Sequence, residues 1–322
     1  MKRRRFVALV GGALAAPLAW AQQSPRVYRV GWLGVVPPPF SSHLIEAFEL
    51  GMRDLGYVVG KNLAIEYRFA DGKVERLPAL ARELVAKDVE VIVVGTNPNI
   101  VAAKSATQRI PIVFAVGTDV IGQGFVNSLA RPGGNITGLT WDVGGGTVSK
   151  AIELLKEAAP RTSRIAVLYE PPYQVYYREA VEEAGARLRL SLVWIDAIND
   201  FEGSFSGAMR ERANAVYVLA GARMFGRRAE LVALAAKHRL PATYVNLEYV
   251  DAGGLMAYAP NVSVSFRDAA RYVGKILKGA TPSELPVEQP TKIEFVINLK
   301  TAKALGLTIP QSVRLRAERV VE

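Results

Sequence analysis

The sequence predicts an α/β protein made of two doubly wound parallel-sheet lobes joined by a multi-strand hinge. Three observations lead there. Short apolar runs alternate with amphipathic stretches at helical spacing along the chain. The alternation breaks off near the middle and begins again, element for element. The 322 residues are also about twice the ~100–200 of an average domain.

Val27–Val36 opens the first half as a strand, apolar enough for burial on both faces. Leu44, Phe48, Met52 and Leu55 recur at helical spacing, and Gly56 stops that helix. Leu63–Phe69 alternates like a strand. A helix at Val74–Ala86, a strand at Val91–Val94, a helix at Pro98–Ala106 and a strand at Ile112–Val116 are predicted next. The second half predicts strand Arg164–Tyr169, helix Val175–Ala184 ended by Gly185, and strand Leu188–Ile195. Helix Phe201–Met209, strand Ala215–Leu219, helix Arg223–His238 and strand Ala242–Val245 follow. Each first strand runs into prolines, Pro37-Pro38-Pro39 and Pro171-Pro172.

Turns followed by extended runs, Arg131–Thr140 and Gly253–Tyr258, mark crossings between the halves. Helix Phe266–Leu277 comes next, then a linker spaced by Pro282, Pro286 and Pro290, strand Ile293–Asn298 and helix Leu299–Leu305. The expected first lobe is 26–138 with about 258–290; the second is 139–257 with about 291–322. Ligands of such sheets bind beyond the carboxyl ends of the strands, so two facing lobes share one cleft.

Half of the residues are apolar and 22% are charged, which suits a packed core. The absence of cysteine excludes disulfides, thiolate metal sites and cysteine nucleophiles. With only two histidines, His43 and His238, no multi-histidine metal site is expected. No cofactor is expected either. Residues 1–21 read as a leader: Lys2 to Arg5 form a basic start, Phe6–Leu18 is apolar, and Ala19-Trp20-Ala21 is a cleavage site. The apolar stretch is shorter than the ~20 residues a membrane span needs. Arg3-Arg4-Arg5-Phe6 fits the twin-arginine pattern, the alternative being a general secretory leader. The protein is therefore expected in the periplasm, cleaved near Ala21. The leader holds four of the 40 basic residues and none of the 30 acidic ones, so the rest is only mildly basic. The clusters Arg223/Arg227/Arg228 and Arg314/Arg316/Arg319 read as solvated helix faces, and no nucleic-acid partner is expected.

Several long stretches resemble one family. They are Arg131-Pro132-Gly133-Gly134-Asn135-Ile136-Thr137-Gly138, Ala252-Gly253-Gly254-Leu255-Met256 with Tyr258, Gly279 with Leu285–Pro290, and Asn298–Gly306. The chain resembles, over nearly its whole length, ABC-transporter substrate-binding proteins of the tryptophan/tyrosine-binding type. The resemblance implies a type I periplasmic-binding-protein fold. It also implies a receptor that closes on a small solute and presents it to a membrane permease driven by a cytoplasmic ATPase. A monomer is expected. Ligand identity does not carry over.

Enzyme motifs fail on inspection. Gly144–Lys150 lacks the phosphate-loop spacing and reads as a turn into helix Val148–Ala158. Gly203-Ser204-Phe205-Ser206-Gly207 has Phe at the nucleophile position. The informative residues stand just past strand ends. Ser41 and Ser42, and Thr96 and Asn97 before Pro98, mark helix starts that suit a carboxylate. Thr118 and Asp119 follow a strand, and Asp119 is a candidate for an ammonium, the alternative being a turn cap. On the second lobe Tyr173 and Tyr176 offer flat clamping faces. Gly221, with Arg223 beyond it, and Asn246 with Glu248 follow the next two strands. His43 reads as a solvated helix residue near the cleft mouth, and His238 as a helix end favoured by the dipole.

These residues make a non-catalytic receptor for an amino acid, aromatic by the tyrosines, or a related zwitterion. The competing readings are an exported α/β enzyme with Asp119 or Glu248 as general base, and a sensory module. Changing Arg3 and Arg4 to Lys should trap precursor in the cytoplasm, scored by fractionation and precursor size. Undiminished export would refute the twin-arginine reading.

Overall fold

In a computed structural model of the chain, residues 26–38, 40–141, 144–171, 174–198 and 200–322 are described. The leader at 1–21 lies outside them. The first half runs β1 (Tyr28–Gly34), α1 (Ser42–Asp54), β2 (Leu63–Phe69), α2 (Leu77–Ala86), β3 (Val91–Val94), α3 (Asn97–Ala106), β4 (Ile112–Gly117) and β5 (Ile136–Thr140). They form a five-stranded parallel sheet in the order β2-β1-β3-β4-β5. All of β3 is buried, as a Val-Ile-Val-Val run covered by helices on both faces must be.

The chain continues through α4 (Gly144–Ala158), β6 (Arg164–Tyr169), α5 (Gln174–Arg187), β7 (Ser191–Asp196), α6 (Phe201–Arg210) and β8 (Ala215–Val218). Then come α7 (Ala222–Gly226), α8 (Arg228–Lys237), β9 (Ala242–Tyr244), α9 (Glu248–Asp251), β10 (Met256–Ala259) and α10 (Val262–Leu277). β11 (Glu294–Asn298), α11 (Leu299–Ala304), α12 (Gln311–Arg314) and β12 (Arg319–Val321) end it. The second sheet has seven strands in the order β12-β11-β10-β9-β8-β6-β7, and β10 with β11 is its antiparallel pair.

The connection changes sheets three times. It leaves the first sheet after Thr140. After Ala259 it returns, and α10 packs on α1 and on β3, β4 and β5. The Asn261 side chain caps α10 by accepting the Ser263 and Val264 N–H groups. A Cβ at Gly51 of α1 would lie 2.6 Å from the Arg267 carbonyl oxygen, so glycine is what allows the two helices to meet this closely. Residues 285–288 are then fastened beside β5. Thr137 Oγ1 donates to Leu285 O (2.7 Å), Glu288 N to Gly138 O (3.1 Å) and Thr140 N to Glu288 O (2.9 Å). Beyond Glu288 the chain enters β11 and the second sheet.

Local departures from the predicted elements have physical reasons. Gly56, at φ +88°, does end α1. Gly185 does not end α5, which continues to Arg187. Its missing side chain instead gives room to Leu192, whose Cδ1 would lie 2.7 Å from a Cβ. The stretch 223–238 is two helices, broken at Arg227 (φ −109°, ψ 26°). The Gly144–Gly146 run lies inside α4 rather than before it. Arg314 ends α12 and Arg319 opens β12, so those arginines do not share one helix face.

Gly138 (φ +148°) lies where β5 meets β4, and a Cβ there would stand 2.0 Å from the Phe114 carbonyl oxygen. Gly138→Ala should cost about 3 kcal/mol, at the upper end of overpacking, read as a lowered urea midpoint. An unchanged midpoint would contradict this packing.

Candidate functional site

The carboxyl ends of the two sheets face each other across a cavity of about 850 Å³, counting its open mouth. On the first lobe, the end of β1 supplies Leu33 to Val36, and the entry to α1 supplies Ser41 and Leu44. The β3–α3 junction supplies Gly95, Thr96 and Asn99, and Thr118 follows β4. The second lobe supplies Ala220, Gly221, Ala222 and Phe225 around α7, and Asn246 after β9. Two residues of α10, Val262 and Phe266, complete the lining with Trp32, Val116 and Trp141. Among the described residues no charged side chain lines the cavity.

Ser41, Thr96, Thr118, Gly221 and Asn246 thus meet at the cavity as strand-end residues should. Ser41 stands at the start of α1, but its hydroxyl donates to the Val36 carbonyl (2.9 Å) rather than capping the helix. This ties the apolar Val35-Val36 loop to the helix. Thr96 Oγ1 donates to Asn99 Oδ1 (3.0 Å), and Asn99 Nδ2 donates to Leu33 O (3.0 Å). A buried asparagine therefore links α3 to the end of β1 and orients the Thr96 hydroxyl.

Other predicted residues are placed elsewhere. The Asn97 side chain is buried and clips the backbone of Thr118, donating to its carbonyl (2.8 Å) and accepting its N–H (2.9 Å). It shapes the first-lobe wall without lining it. Asp119 is exposed, at φ +49°, and Oδ1 accepts the Gly122 N–H (3.2 Å). It is the cap of its own turn and does not line the cavity, so it does not hold an ammonium there. Ser42 is in the first turn of α1, outside the lining. Tyr176 lies on α5 outside the cavity, with Oη 3.5 Å from Asn97 Nδ2 across the lobe boundary. Tyr173 lies outside the described residues. Glu248 does not line the cavity either. Its Oε1 is 3.7 Å from His43 Nε2 on the opposite lobe.

Trp141, just after the first crossing, is expected from the sequence to sense a ligand; Trp32, inside a strand, is expected to report less, and Phe225 and Phe266 carry no such expectation. Trp32 is 3% exposed, stacks on Phe266 (5.1 Å between ring centroids) and meets Phe48 edge-on (5.6 Å). Phe225 faces it from the second lobe. A tryptophan inside a strand reads as core, and nothing local says that α10 returns to lie beside β1. The cavity can enclose a flat apolar body among rings and meet its polar end with uncharged donors.

Because Trp32 and Trp141 both line the cavity, a bound solute should change the fluorescence of both. Expected signal loss is large for Trp32→Phe and Trp141→Phe and small for Trp194→Phe, which lies on β7. A signal carried by Trp194 alone would contradict this placement.

The chain matches the family described as ABC transporter substrate binding protein over residues 36–321. It is 22% identical over 302 residues to a tyrosine-binding protein of Clostridioides difficile (strain R20291), covering 88% of this chain and 82% of that one. A conserved domain protein of Vibrio cholerae O1 biovar El Tor superposes with a TM-score of 0.85 at 28% identity, over 92% of this chain and all (100%) of the other. An ABC domain from Streptococcus pneumoniae, solved in complex with L-Trp, superposes with a TM-score of 0.82 at 24% identity, over 92% and 100% of the two chains. The fold is that of the type I periplasmic binding proteins. The Clostridioides relative is named for binding tyrosine, and the pneumococcal one holds L-Trp. The two-lobed chain with its interlobe cavity belongs to the ABC transporter substrate-binding protein family.

Proposed function

We propose that this chain is the periplasmic solute receptor of an ABC importer. It closes its lobes on one aromatic amino acid or a related zwitterion and delivers it to a membrane permease driven by a cytoplasmic ATPase. The observation that carries this reading is the interlobe cavity, where Trp32, Trp141, Phe225 and Phe266 surround a space edged by Ser41, Thr96, Thr118 and Asn246. The tyrosine named for the Clostridioides relative and the L-Trp bound by the pneumococcal one support the ligand class.

The solute's ring lies between the aromatic side chains. Its carboxylate is met at the first-lobe wall, where the Thr118 hydroxyl stands beside the start of α3, and the Thr96 hydroxyl, already donating to Asn99, edges the same wall. Gly221 and Asn246 close on it from the second lobe. The lobes, 26–138 with 258–290 against 139–257 with 291–322, turn about the three crossings, and the protein acts as a monomer. Export through the leader at 1–21 places it outside the cytoplasm. Among the described residues no helix is long and apolar enough to cross a membrane.

Calorimetry with L-tryptophan, L-tyrosine, L-leucine and D-ribose tests the ligand class. At least one aromatic amino acid should bind with micromolar affinity or better, about −8 kcal/mol, with no heat from the other two. Thr118→Val should weaken that binding on the order of tenfold, the loss of one hydrogen bond to a charged group. Binding of leucine or ribose without either aromatic amino acid would overturn the reading.

A further inference from the structure

One buried carboxylate next to the cavity has no part in the arrangement above. Glu170 directly follows β6 and is 4% exposed. Its Oε2 accepts the backbone N–H groups of Arg223 (3.1 Å) and Met224 (3.3 Å), in the first turn of α7. Gly221, which lines the cavity, lies against it: a Cβ there would stand 2.4 Å from Glu170 Oε2 and 2.8 Å from Glu170 Cβ. Glycine backbone is thus what separates this carboxylate from the cavity. Glu170 takes part in none of the ion pairs among the described residues. Burial pushes its carboxyl above the usual carboxylate range, against the pull of the Met224 and Arg223 N–H groups. The Arg223 charge also draws it down and the Asp196 charge pushes it up, but no cation among the described residues reaches salt-bridge distance; a buried carboxylate so placed is costly, and a further cation brought near it recovers part of that cost.

The two walls of the cavity therefore differ in sign. The first-lobe wall offers hydroxyls and the start of α3. On the second-lobe wall, the N–H groups at the start of α7 are already taken by Glu170. We propose that Glu170 is a specificity-determining residue: acting across Gly221, it turns the solute's ammonium toward the second lobe and selects amine-bearing solutes over plain carboxylates. This rests on the aromatic amino-acid reading above.

The test uses L-tryptophan, tryptamine (no carboxylate) and indole-3-propionate (no amine) against the wild type and Glu170→Gln. Glutamine keeps an acceptor for the two N–H groups and removes the charge. L-tryptophan and tryptamine should each bind roughly tenfold more weakly to the variant, the scale of two charges several Å apart at an effective dielectric of about 20. Indole-3-propionate should bind as well or better. Equal losses for all three would make Glu170 a plain cap of α7 and overturn the proposal. A crystal structure of the wild type with L-tryptophan needs no variant. The ammonium facing Gly221 supports the proposal, and the carboxylate there overturns it. If the wild type binds L-tyrosine and not L-tryptophan, the same comparison is made with L-tyrosine, tyramine and 3-(4-hydroxyphenyl)propionate; if it binds neither amino acid, the aromatic amino-acid reading itself fails, and the proposal with it.

Discussion

Parallel strands of one sheet all end at the same edge, and that constraint decides which residues of this chain can meet. The backbone after each strand turns at the edge, so short polar residues and glycines collect there. In the first sheet these turns bring Val36, Thr96 and Thr118 together. In the second they bring Gly221 and Asn246 together. Three crossings hold the two edges face to face, and the cavity is the space between them. Its polarity follows from the same geometry. Strand ends carry backbone groups and small side chains, so the wall presents hydroxyls and N–H groups, while charged residues stand behind or beside it.

The first-lobe wall depends on two asparagines. Asn97 clips the backbone of Thr118, and Asn99 links Thr96 to the end of β1. Each is buried, and each joins one strand-end turn to another. A buried amide with its bonds satisfied is a rigid spacer. These two hold the Thr118 backbone and the Thr96 hydroxyl in place on the first-lobe wall.

The strand-end logic made much of this legible in the sequence. The repeated β-α alternation named both lobes, and the residues after the strands named Ser41, Thr96, Thr118, Gly221 and Asn246. Where local pattern failed, the cause was tertiary or conformational. Asp119 follows its strand as expected, but at φ +49° it turns into its own loop and bonds to Gly122 N. Asn97 is at the right place with its side chain turned back to hold Thr118. Trp32 and Phe266 are far apart in sequence and stack because α10 returns to the first sheet, which no local periodicity encodes. β12 is only three residues long and opens on an arginine, too short to show a strand pattern; it is a strand because β11 offers it an edge.

The central claim is that the cavity is the binding site and that the lobes close on the solute. A chain without cysteine allows spin labels to be placed without background. Ser105 on α3 and Glu179 on α5 are exposed, and they lie on opposite lobes. With cysteines introduced at both positions and labelled, the interlabel distance distribution can be measured with and without L-tryptophan. The account predicts that a broad distribution narrows to a single shorter distance when the amino acid is added. A distribution unchanged by a demonstrably bound solute would contradict it.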